Sequence, residues 1–271
     1  MKRVGILFRP HIDRAVSLVD CIQHTFESAG IAVWRCSAWD EQVAQPQLND
    51  TDLVIGIGGD GTILHCARVT SPAKVPVLGV KLGKLGFITE FGEDEIADVL
   101  PRVIAGQGWV EERSMLRARV GEREFLALND AVVRCTAVRL INVALDVDGE
   151  RVTTYRSDGV IVATATGSTG YALAAGGPVL LPENDGIVIQ PISSHLGLRQ
   201  ALVLPGNARI SLAVEGRDGA VLSMDGQVDY PLDKGQRVSV TTSEHKARFL
   251  RFRPHEYFYQ SLQEKLGGER T

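Results

Sequence analysis

The chain has 271 residues, 44% of them hydrophobic and 23% charged, proportions that exclude a disordered or fibrous polymer and allow one large domain or two packed ones. A formal net charge of −4 argues against general nucleic-acid binding, which calls for a basic face. No apolar stretch reaches transmembrane length. Cys21, Cys36, Cys66 and Cys135 make no CxxC pair, so they read as buried small hydrophobes of a soluble, cytoplasmic protein with no membrane partner.

Residues 3–8 read as a first buried strand, too short for a signal-peptide core, and residues 12–29 as a helix through Ala15, Leu18, Val19, Ile22 and Phe26. Strands follow at 31–36, 52–57 and 75–80, with helices at about 62–69 and 94–104. This βαβ rhythm predicts an α/β domain with a parallel sheet over residues 1–105. From 106 to 253 the pattern is β-rich and predicts two packed sheets. Strand-like runs lie at 118–120, 125–134, 141–147, 152–155, 160–163, 186–192, 208–214, 220–224 and 237–242, with a hairpin signal at Asp148-Gly149. Residues 256–266 return to a helical period.

The sharpest local feature is Ile55-Gly56-Ile57-Gly58-Gly59-Asp60-Gly61-Thr62, a strand running through glycines into a helix. Such a turn lets backbone N–H groups approach phosphate, helped by the helix N-terminus. The loop therefore reads as a phosphate loop formed by Gly58, Gly59, Gly61 and Thr62. Gly56, Gly58 and Gly61 also satisfy GxGxxG, but the region about 20 residues on is Val80-Lys81-Leu82 and lacks the acid a dinucleotide fingerprint expects. A carboxylate at Asp60 would repel a pyrophosphate, whereas a phosphotransferase has use for it as a base or metal contact.

Further along, Asn129 and Asp130 combine amide donors with acceptors, suited to ribose hydroxyls or to pinning a turn between strands. Thr166 to Tyr171 offers hydroxyls, amides and a ring within six residues. His65 either faces phosphate or is packed. No cluster of metal-ligating side chains stands out.

Gly58-Gly59-Asp60-Gly61-Thr62 resembles the GGDGT signature of NAD kinases, diacylglycerol kinases and sphingosine kinases, and is distantly similar to the phosphofructokinase loop. Four further stretches resemble the NAD kinase family in its order and spacing. They are Leu78 to Phe87, Leu128-Asn129-Asp130-Ala131, Arg156-Ser157-Asp158-Gly159 with Thr166-Gly167-Ser168-Thr169-Gly170-Tyr171, and Asp225-Gly226-Gln227. Four positions depart from the family pattern: Lys81 stands for asparagine, Asp130 for a longer glutamate, Gly170 for alanine and Ala174 for serine. A lysine at 81 is a candidate for donor phosphate.

The resemblance implies a phosphofructokinase-like α/β domain, a β-rich NAD-binding domain with NAD between them, and a C-terminal helix (254–271) packed on the first. It implies transfer of a phosphoryl group to the 2′-hydroxyl of the adenosine ribose of NAD from ATP, another nucleotide or polyphosphate, with Mg²⁺ arriving with the donor. Asp60 would be the base. NAD would be met by Gly61, His65, Phe87, Asn129, Asp130, Arg139, Arg156, Asp158, Thr166, Thr169, Gly170, Tyr171, Ala174 and Gln227. A homodimer or homotetramer would follow. The rivals are a lipid kinase sharing the loop, a non-catalytic dinucleotide-binding regulator, and an NADP-dependent oxidoreductase.

Overall fold

The computed structural model of the chain describes residues 1–83, 86–136, 139–215 and 219–266. The chain forms two compact units, Met1–Glu112 with Ala247–Thr271, and Arg113–Lys246. No helix among the described residues is long and apolar enough to cross a membrane. The four cysteines are free; Cys66 and Cys135 are buried, Cys36 is half-buried, and Cys21 is exposed on the outer face of the first helix, contrary to the uniform burial expected.

The first unit opens with β1 (Arg3–Phe8), α1 (Asp13–Ser28), β2 (Ala32–Ser37), α2 (Glu41–Ala44), β3 (Leu53–Gly58), α3 (Asp60–Thr70), β4 (Val77–Lys81), β5 (Phe91–Gly92) and α4 (Ile96–Ile104). Strands pair in parallel in the order β2-β1-β3-β4, with β5 on the far side of β4. The order reverses direction at β1 and β3, the place where parallel sheets present ligand sites at their carboxyl ends. α1 buries Ala15, Val19, Ile22 and Phe26, one stripe at helical spacing, against Val4, Ile6, Ile55 and Ile57.

The second unit takes the greater parts of β6 (Trp109–Val120) and β17 (Arg237–Arg251) and, between them, β7 (Arg123–Ala127), β8 (Asp130–Cys135), β9 (Ile141–Val147), β10 (Glu150–Ser157), β11 (Gly159–Ala163), α5 (Tyr171–Ala174), β12 (Ile187–Ile192), β13 (Leu202–Leu204), β14 (Ile210–Glu215), β15 (Ala220–Met224) and β16 (Val228–Leu232). One sheet runs β13-β12-β11-β8-β15-β16, and in the other β14 lies between β9 and β17. The inward faces of the two sheets make one core, from Val133, Val160, Ile189 and Leu222 on one side and Val143, Tyr155, Leu212 and Val238 on the other. β16 carries Pro231 at a sheet edge, where a missing N–H costs no ladder bond. The Asp148-Gly149 hairpin has both residues at positive φ, 52° and 94°.

Two predicted strands are redrawn. Residues 125–134 read as one run, but the chain breaks at Leu128-Asn129 and β7 and β8 belong to different sheets. The strand expected at 237–242 continues to Arg251: the alternation slips by one residue at Thr241-Thr242 and then buries Ser243, Ala247, Phe249 and Arg251. α6 (Tyr257–Leu266) follows, and Phe258 in it meets Phe87 with ring centroids 6.5 Å apart.

Candidate active site

In the first unit every residue of β3 is buried, and the strand ends at Gly58 against Lys81 of β4. The helix starts two residues before the predicted Thr62: Gly59 is its N-cap, its carbonyl accepts from the Thr62 amide at 2.9 Å, and Asp60 and Gly61 lie in the first turn. Aspartate is favoured there by the helix dipole. The register that sets Lys81 beside Gly58 brings Lys81 Nζ to 3.0 Å from Asp60 Oδ1. The acid keeps 38% of its side-chain surface exposed, the lysine only 16%.

Gly86 closes the other side of that carboxylate. A Cβ on Gly86 would lie 1.7 Å from Asp60 Oδ1 and 2.3 Å from Oδ2, so any larger residue displaces the acid. The Gly86 amide donates to Thr89 Oγ1 at 2.9 Å, which fixes the backbone at that distance. His65 is buried on α3, with Nδ1 2.6 Å from Arg68 Nη2, Nε2 3.3 Å from Glu41 and its ring stacked on Trp39. Its role as a packed histidine accounts for these contacts.

In the second unit the break between β7 and β8 is organised by Asp225. Its carboxylate accepts from the amides of Leu128 at 2.9 Å, Asn129 at 2.7 Å and Asp130 at 3.1 Å, and its own amide donates to the Asp130 carbonyl. Thr164 holds the same break from the other side, donating Oγ1–H to the Leu128 carbonyl and N–H to the Asn129 carbonyl. Gly167 lies so close that a Cβ there would be 2.0 Å from the Asn129 carbonyl oxygen. Three separated motifs, Asn129-Asp130, Thr166 to Tyr171 and Asp225-Gly226-Gln227, thus meet at one place.

That place is a concavity of about 410 Å³ lined by Asn129, Asp130, Tyr171, Ser223 and Asp225 among others. Burial, and after it the Asp225 carboxylate, push the Asp130 acid up to about 7. Asn129 Oδ1 is buried without a hydrogen-bond partner among the described residues. Such an atom costs about 1–3 kcal/mol until something donates to it.

The family model for the N-terminal domain of ATP-NAD kinases matches residues 10–108, and that for the C-terminal domain matches residues 128–252. An NAD kinase from Dehalococcoides mccartyi is 41% identical over 98% of this chain and 96% of its own length. One from Chloroflexus aurantiacus is 38% identical, covering 98% and 99%. The chain belongs to the NAD kinase family. Among solved structures of NAD kinases, that from Archaeoglobus fulgidus in complex with ATP has a TM-score of 0.77 at 27% identity, covering 98% of both chains. The yeast NADH kinase complexed with NADH has a TM-score of 0.87 at 26% identity, covering 100% of this chain and 89% of that one.

The remaining residues expected to serve an NAD kinase site are more scattered. Thr166 is buried in the turn after β11, and Thr169 donates to its carbonyl at 3.1 Å. Gly170 N-caps α5, while Tyr171 and Ala174 in that helix are exposed. Arg139, Arg156 and Asp158 are exposed and Gln227 is half-buried. Lys81 was legible only as a departure from the family pattern; its contact with Asp60 required the β3–β4 register. Ser223 and the structural use of the Asp225 carboxylate carried no local signal, because their partners lie in β8 and in the turn before it.

Proposed function

We propose that this chain, which as an NAD kinase phosphorylates NAD with ATP, uses Asp60 as the base for the 2′-hydroxyl of the adenosine ribose. The hydroxyl proton passes to the Asp60 carboxylate as its oxygen bonds to the γ-phosphorus. The bond from that phosphorus to the β–γ bridging oxygen breaks, leaving ADP and NADP. The observation that carries this reading is a carboxylate at a glycine turn that is exposed to a reactant yet held in place at 3.0 Å by a lysine. A positioned base contributes roughly 10²–10⁴ in rate. Glycine-turn amides at the start of α3 suit the donor phosphates.

Asn129 and Asp130 take ribose hydroxyls of the dinucleotide, and the unpartnered Asn129 Oδ1 supports that assignment, since a hydroxyl donating to it removes a buried cost. Thr166, Thr169, Gly170 and Tyr171 hold the nicotinamide side, Asp158 takes a polar part of NAD, and Gly61 meets NAD through its backbone. Phe87, Arg139, Arg156, Ala174 and Gln227 make lesser contacts, while His65 stays a packed residue of α3. Mg²⁺ enters bound to ATP as part of the substrate. We place the enzyme in the cytoplasm as a homodimer or homotetramer. Leu196 and Val203, 60% and 53% exposed in the second unit, are suited to such an interface.

The test is NADP formation from NAD, ATP and Mg²⁺ by the purified protein and its Asp60→Asn variant. Turnover by the first and a loss of about 10² or more in the second, with NAD binding retained, is the expected result. Undiminished turnover by Asp60→Asn removes the base assignment. Sedimentation velocity reports the oligomer, and a monomer at micromolar concentration would end that part of the proposal.

A further inference from the structure

The ion pair between Lys81 and Asp60 is asymmetric: the cation is largely covered and the acid is open. Lys81 is the last residue of β4, anchored by a parallel ladder to β3, so its stem rises from the end of a buried strand. The ammonium also stands 3.9 Å from where a Cβ on Gly59 would be, over the glycine turn itself. Gly86 confines the same carboxylate on another side. An aspartate in the first turn of a helix has several open rotamers, and a base that moves among them spends little time aligned.

We propose that Lys81 is a positioning residue of the phosphoryl-transfer step: it tethers Asp60 Oδ1, selects one rotamer and so presents the carboxylate to the 2′-hydroxyl. This rests on the reading of Asp60 as the base. It differs from a direct role on donor phosphate, in which the ammonium would bind ATP and leave the acid alone.

The experiment is steady-state kinetics with NAD and ATP varied separately, for Lys81→Met and Lys81→Arg, each also combined with Asp60→Asn, using radiolabelled γ-phosphate to read slow turnover. Lys81→Met should lower kcat about 10- to 100-fold with both KM values within about twofold. Lys81→Arg should recover much of that loss, since a charged donor is restored. On the Asp60→Asn background Lys81→Met should add no further loss. A raised ATP KM with unchanged kcat, or a loss in the double variant equal to the product of the two single losses, overturns the proposal in favour of direct donor binding. Lys81→Arg no better than Lys81→Met overturns it as well. If Asp60→Asn alone retains full turnover, the base reading fails first, whatever Lys81 does.

Discussion

In the first unit, three carboxylates are held by cations, two of them buried and one open to solvent. Arg251 donates Nε–H to Glu111 at 2.7 Å and Nη1–H to Glu90 at 3.0 Å, all three side chains being buried, and Lys81 holds Asp60. In the second unit Asp225 is received by three backbone amides, and Asp130 lies buried beside it with its acid raised to about 7. A cation in contact with a carboxylate fixes where it points. Burial, and after it the charge of Asp225, leave Asp130 near its point of protonation. The first arrangement suits a group that must be aimed at a reactant, and the second a group that must match neutral hydroxyls.

The contrast breaks most sharply at Arg251. Arg251→Ala leaves Glu90 and Glu111 buried without their cation, and should lower stability by about 3–5 kcal/mol in chemical denaturation. A loss below about 1 kcal/mol would mean that water reaches the site and the acids need no partner.

Asp130 offers a test with a sign. In the unfolded chain its acid titrates near the ordinary value of 3.8, and in the native protein at about 7. Between those values the native state binds the extra proton. The stability from this group is therefore complete below that window and is lost as pH rises through it. Asp130→Asn removes the dependence, so the variant should be more stable than the parent at pH 8 by on the order of 2–4 kcal/mol, with the gap closing toward pH 4. Thermal melting across that range checks it, and a gap independent of pH would place the titration elsewhere.

Gly86→Ala sharpens the comparison from the side of the first unit. A methyl group 1.7 Å from Asp60 Oδ1 must turn the acid away, so kcat should fall about 100-fold while NAD binding persists. Full activity would show that the carboxylate has another productive position. Least is expected of the surface pair Arg134–Asp229, whose side chains are 40% and 53% exposed: Arg134→Ala should change stability by about 0.5 kcal/mol or less.

Much of this was legible in the chain before its structure. The βαβ unit announced itself through a helical apolar stripe and short buried runs, and the site through residue types that are costly elsewhere: glycines around an acid, an amide beside an acid, hydroxyls packed into one turn. What escaped depends on distant partners. The break at Leu128-Asn129 is hard to see locally because apolar runs continue on both sides of it, and the carboxylate that forces it is 96 residues from Asn129. α2 has four residues, too few to show a period, and β13 has three. Arg251 reads as an ordinary arginine, and Lys81 as a candidate for donor phosphate, until their registers are known.

Arg251 and Glu90 are separated by 161 residues, though both belong to the first unit. On a ribosome adding about 5–20 residues per second, Glu90 emerges roughly 8–30 s before its cation exists. Over that interval all of the glycine-turn machinery has been synthesised, yet the sheet that carries it lacks the pairing of Phe249 with Val77. A message truncated just after Lys246 would encode Asp60, Lys81 and Gly86 and still leave the unit that holds them unfinished. The last strand made is the one that seals the first unit begun.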